Sequence, residues 1–61
     1  MTGEALKRIR RRMGLSQAAL AELLAVSPNT VARWERGEYP IRDSMARLIR
    51  FVAETEQHRR D

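Results

Sequence analysis

Residues 15–37 read LSQAALAELLAVSPNTVARWERG, and this stretch decides the fold. It contains two helix starts written in the same grammar. Ser16 and Ser27 are each a hydroxyl residue suited to cap the free N–H groups of a first helical turn. An apolar residue precedes each cap, Leu15 and Val26, and another follows at the fourth helical position, Leu20 and Val31, a pairing that staples the entering chain. Pro28 stands at the first position of the second helix, where its missing N–H costs nothing and its fixed φ suits the turn. Only Ala25 and Val26 separate the end of one helix from the cap of the next. Two short helices joined so tightly cannot lie antiparallel and must cross steeply.

Working outward, Leu6, Ile9 and Met13 recur at helical spacing with Ala5 beside them, which predicts an amphipathic helix from about Thr2 to Met13, ended by Gly14 as a left-handed cap. Its other side carries Lys7, Arg8, Arg11 and Arg12, a run that reads first as a solvated face, with Arg10 at the edge of the apolar stripe. Within the central stretch, Leu20, Leu23 and Leu24 with Ala21 among them are expected to face the core from one helix. Val31 and Trp34, three residues apart, do so from the next, which runs to Arg36 and ends at Gly37; Trp34 reads as a core anchor. A loop from Gly37 to about Arg42 leads to a fourth helix capped by Asp43 or Ser44, with Met45, Leu48, Ile49 and Val52 inward. Tyr39 is expected to pack across that loop, the other option being a hydroxyl offered to a phosphate. Phe51 falls off the fourth stripe by more than a right angle and is expected to widen the core under the loop, the other option being exposure to a second copy. The polar tail from about residue 56 is expected to fray, and His58 within it to be a bystander.

Composition narrows the function. Residues 1–61 form one domain at most, without cysteine, so neither a disulfide nor a thiolate metal site supplements helix packing. No apolar run approaches the roughly 18 residues of a membrane span, and a reducing, cytoplasmic setting is the default. Lys and Arg number 12 against 8 Asp and Glu, and all but one of the 12 are arginine. A pI near 11.1 suggests a polyanionic partner, and arginine's planar fork suits phosphate and guanine. An enzyme is disfavoured: Glu4, Glu22, Glu35 and Glu38 are scattered, no Ser-His-Asp or metal-ligand spacing exists, and four short helices leave no room for a substrate cavity.

The stretch Leu15 to Gly37 is similar to the helix-turn-helix of the Cro and phage-repressor family, the Xre type. The resemblance rests on Gln17 at the start of the second helix, Leu20 and Ala21, Val26 in the turn, Val31, and the closing Trp34-Glu35-x-Gly37. It departs at Ala25, where the family usually has glycine. The implied fold is all-α: a compact four-helix lambda-repressor-like DNA-binding domain, with or without a short extra C-terminal turn, whose helix-turn-helix covers 17–36. The implied function is sequence-specific binding of double-stranded DNA by a transcriptional regulator, a small (auto)repressor acting on an operator with inverted half-sites. It would act as a weak homodimer strengthened on DNA, in the cytoplasm on the nucleoid, with no cofactor, no metal and no membrane partner. The alternative is an antitoxin or coactivator module that uses the same fold to bind protein.

Specific residues follow. With Val31 and Trp34 inward, Asn29, Thr30, Ala32, Arg33 and Arg36 are left facing out. Arg33 can give guanine O6 and N7 a bidentate pair, Asn29 can do the same for adenine, and Pro28 and Ala32 offer apolar contact to a thymine methyl, so the expected base-reading set is Pro28, Asn29, Thr30, Ala32 and Arg33. The resemblance implies that Gln17 binds a phosphate through its side chain and backbone N–H; Ser27, Asn29, Arg36 and Arg42 are further phosphate candidates. It also implies an orienting ion pair between Arg10 and Glu35. By family analogy a dimer contact would involve Tyr39, Ile41, Arg47 and Phe51.

Overall fold

The computed structural model describes the backbone of residues 1–60 and the side chains of residues 1–56; His58 lies outside the described side chains. Four helices follow one another: α1 (Gly3–Arg12), α2 (Gln17–Leu24), α3 (Pro28–Glu35) and α4 (Asp43–Arg60). The first three begin alike. Thr2 Oγ1 accepts from the Ala5 N–H at 3.0 Å, Ser16 Oγ from Ala19 at 3.0 Å and Ser27 Oγ from Thr30 at 3.3 Å. Each bond satisfies a donor that the helix cannot reach itself.

The first three helices also end alike. After α1, Leu15 N–H donates to the Arg10 carbonyl and Gly14 N–H to Arg11; after α2, Val26 donates to Ala21 and Ala25 to Glu22; after α3, Glu38 donates to Arg33 and Gly37 to Trp34. This crossed pair of bonds requires a left-handed residue just past the helix. Gly14 (φ 72°) and Gly37 (φ 78°) supply it at two ends, and Ala25 (φ 59°) supplies it at the third. The central turn thus contains a side chain where glycine would be unstrained.

Leu6, Leu20, Val31 and Ile49 are the largest fully buried side chains, one from each helix. Met13, Ala21, Leu24, Trp34, Ile41 and Ala46 complete the core, with Leu15 and Val26, the residues before the two serine caps, packed against it. Burying one such aliphatic side chain contributes about 1.5–3 kcal/mol, so the four central residues fix how the helices converge.

Several expectations about burial are corrected. Leu23 is 42% exposed and Leu48 40% exposed, while Ala21 and Ala46 are buried. On both helices a small residue takes an inward position, and the leucine two residues on, about 200° further round the helix, falls at the rim. Phe51 is 66% exposed and does not widen the core. It projects from the side of α4 opposite Ile49. The fourth helix starts at Asp43, one residue earlier than a cap at Asp43 would allow and two earlier than a cap at Ser44, and the Arg42 carbonyl accepts the Ala46 N–H at 2.9 Å. Asp43 therefore sits inside the first turn, where its charge favours the positive end of the helix. The helix continues to Arg60 through the polar stretch that begins near residue 56.

One contact has no counterpart in the sequence pattern. A Cβ on Gly3 would lie 2.4 Å from the Trp34 carbonyl oxygen and 2.6 Å from that of Glu35. The first turn of α1 thus abuts the last turn of α3, positive end to negative end, and only a residue without a side chain fits between them.

Candidate nucleic-acid interface

Helix α3 is held from one side. Val31 is fully buried and Trp34 is 8% exposed, whereas Pro28, Asn29 and Arg36 are exposed and Thr30, Ala32 and Arg33 half-buried. The outward side therefore carries Pro28, Asn29 and Arg33 in its first two turns. No hydrogen bond within the described residues engages the Asn29 amide, which leaves both its donor and its acceptor available. Ser27 and Thr30 hydroxyls lie 3.0 Å apart and bond to each other beside the helix start. These two candidates are thus coupled, one expected at phosphate and the other at a base.

The end of α3 is anchored through Glu35. Arg10 Nε donates to Glu35 Oε2 at 2.6 Å and Arg10 Nη2 to Oε1 at 3.1 Å, a bidentate pair, and Arg10 Nη1 donates to the Leu15 carbonyl at 2.9 Å. The Arg10 and Glu35 side chains are 12% and 4% exposed. Gln17 Nε2 donates to the same Glu35 Oε1 at 3.1 Å. One carboxylate therefore joins α1, the start of α2 and the end of α3. Burial alone would push the Glu35 carboxyl up; the bonds from Arg10 and Gln17 and the adjacent positive charge outweigh it and hold the group below the usual carboxylate range. A largely buried pair of this kind fixes geometry more than it stabilises the fold, because desolvation offsets much of the attraction. Its consequence here is that the helix carrying the outward residues and the helix carrying Gln17 are set in one frame.

Sequence reasoning did not foresee the Gln17–Glu35 bond. It uses one amide hydrogen of the half-exposed Gln17, whose side-chain carbonyl and backbone N–H, with the N–H of Ala18, have no hydrogen-bond partner among the described residues. Arg36 is exposed and pairs with the exposed Glu38, whose carboxyl it holds below its ordinary value. Arg42 is exposed at the start of α4. Lys7, Arg8, Arg11 and Arg12 are all exposed on α1; the first three, with Glu4 and Glu35, border an open depression of about 400 Å³.

Tyr39 packs back onto Arg33. Its ring lies beneath the guanidinium, whose carbon is 5.2 Å from the ring centroid, and Arg33 Nη1 donates to the phenolic oxygen. Of the other residues named for a dimer contact, Ile41 is 8% exposed and belongs to the core, so it is not available to a partner; Arg47 and Phe51 are exposed.

A fold of four helices with a tight α2–α3 turn, an inward-docked α3 and a polar outer edge defines a DNA-binding helix-turn-helix domain. A family model described as helix-turn-helix matches residues 6–50, and the chain belongs to that family, the Cro/C1-type or Xre domains of DNA-binding regulators, which are not enzymes. No curated protein and no solved structure shows significant similarity to the chain. Among the described residues no helix is long and apolar enough to cross a membrane.

Proposed function

We propose that this protein is a small repressor that occupies an operator through α3 and blocks transcription sterically, its own operon being a natural target. The observation that carries the reading is the docking of α3 by Val31 and Trp34, which supports an outward edge of Pro28, Asn29, Thr30, Ala32 and Arg33 entering the major groove. Asn29 reads adenine and Arg33 reads guanine, each contact worth about 1–3 kcal/mol of discrimination. Pro28 and Ala32 contact thymine methyl groups. Gln17 with the first N–H groups of α2, Ser27, Arg36 and Arg42 hold phosphates on either side and fix the register without reading sequence.

One recognition helix covers only a few base pairs, so specificity calls for two copies on inverted half-sites about 34 Å apart. Leu48 and Phe51, three residues apart and both exposed on α4, support a homodimer contact on that flank beside Arg47, weak in free solution and strengthened on DNA. The setting is the bacterial or phage-infected cytoplasm, where the nucleoid supplies the target.

Selection of bound duplexes from a random pool tests this directly. A palindromic product with G and A in each half is expected. A pool that stays random, with regulatory activity indifferent to Asn29→Ala and Arg33→Ala, would instead indicate a module that binds protein.

A further inference from the structure

We propose that Tyr39 is a specificity-determining residue that acts through Arg33, holding the guanidinium so that its Nε–Nη2 edge faces a guanine; this rests on the base-reading role of Arg33 given above. An arginine on an open helix surface has many rotamers, and ordering it on DNA opposes binding. Here the ordering is built in. Tyr39 is brought to Arg33 by the closure of α3 itself: the Arg33 carbonyl accepts the Glu38 N–H at 2.9 Å and the Tyr39 N–H at 3.4 Å, with Gly37 left-handed between them. The chain returns over the side chain it serves, and the ring and hydroxyl then engage the guanidinium.

Which edge remains open follows from which nitrogen is engaged. Arginine only donates, so the phenolic oxygen accepts from Nη1, and Nε and Nη2 on the opposite edge have no hydrogen-bond partner among the described residues. Arg10 provides the internal precedent: Nη1 is fixed by the Leu15 carbonyl while Nε and Nη2 together grip the two oxygens of Glu35. The guanine O6 and N7 pair presents two acceptors to the same fork. Glu38, the other acceptor carried by this closure, bonds to Arg36 and forms no hydrogen bond with Arg33.

The test compares the full chain with Tyr39→Leu, Tyr39→Phe, Arg33→Ala and the Tyr39→Leu/Arg33→Ala pair. Each is assayed by selection from a random duplex pool and by titration against the selected and a scrambled duplex. Thermal unfolding confirms that each variant is folded, as the exposure of Tyr39 leads one to expect. Tyr39→Leu should reduce the preference for guanine at one position per half-site by about two- to fivefold, the worth of an exposed cation–π contact. Tyr39→Phe should fall between it and the wild type, scrambled-duplex affinity should not change, and Tyr39→Leu should add nothing once Arg33 is alanine. The proposal is overturned if Arg33→Ala abolishes the guanine preference while Tyr39→Leu leaves it intact. It is equally overturned if Tyr39→Leu weakens every sequence alike even without Arg33, the signature of a phosphate contact. If Arg33→Ala itself leaves the guanine preference unchanged, the base-reading role falls first and the role of Tyr39 with it.

Discussion

Replacing Ala25 by glycine removes one exposed methyl from the turn between α2 and α3, at a residue with φ 59° and ψ 40°. An L-residue in that region is strained by about 1–2 kcal/mol because its Cβ crowds the following carbonyl. Glycine relieves the strain but gains about 0.4–1 kcal/mol of freedom in the unfolded chain. At the midpoints of these ranges the balance is a stabilisation of roughly 0.8 kcal/mol, which for a domain of this size raises Tm by about 3–6 °C. The crossed hydrogen bonds of the turn use only backbone groups and survive the change. Gly37→Ala is the mirror experiment. Gly37 has φ 78°, its closure uses the same bonds, and a Cβ there meets nothing within 4 Å, so the substitution isolates the conformational cost and should lower Tm by a similar amount. Both are read by circular dichroism melts at fixed pH and salt. If Ala25→Gly lowers Tm, or if Gly37→Ala leaves it unchanged, the conformational account of these turns is wrong.

Gly3→Ala should destabilise by about 1–3 kcal/mol, as overpacking does, because the added Cβ meets the Trp34 and Glu35 carbonyls; urea denaturation checks this, and a neutral result would mean that α1 can shift freely against α3. Arg10→Met leaves the 4% exposed Glu35 carboxylate without its bidentate partner and should cost about 3 kcal/mol or more, much of it recovered in Arg10→Met/Glu35→Leu; a double-mutant coupling near zero would remove the pair from the account. Glu35 also predicts a pH dependence. Its folded pKa is depressed, so its contribution is complete above the unfolded value of about 4.3 and is lost as pH falls through the lower folded value. Acid melts of wild type and Glu35→Gln should therefore converge at low pH, and parallel curves would contradict the assignment.

The helix starts and stops were legible because they are local. Ser16, Ser27 and Pro28 act within one turn of their own position, and Gly14 and Gly37 mark helix ends that no longer-range contact overrides. The choice of inward residue was less legible where alanine competes with leucine. Periodicity ranks Leu23 and Leu48 above Ala21 and Ala46, yet which flank of each helix is covered is a property of the assembled core. Phe51 is outside because it lies two residues from the buried Ile49, about 200° round the helix. Around the interface, the outward set on α3 followed from the spacing of Val31 and Trp34. The meeting of Gln17 with Glu35, 18 residues on, depends on the steep crossing and carries no local signal. Tyr39 returns to Arg33 only because α3 closes on Gly37. The close approach at Gly3 likewise carries no local signal, since the carbonyls it meets belong to Trp34 and Glu35 of another helix.

The central claim is that the polar edge of α3 reads bases, and the affinity of Asn29→Ala and Arg33→Ala for a selected operator and for a scrambled duplex of equal length tests it most directly. The account predicts that each substitution weakens operator binding about 5- to 150-fold, from a contact worth about 1–3 kcal/mol, while scrambled-duplex binding stays within error for Asn29→Ala and falls much less than operator binding for Arg33→Ala, which also removes a charge. Equal affinity of the wild type and both variants for the operator would contradict it.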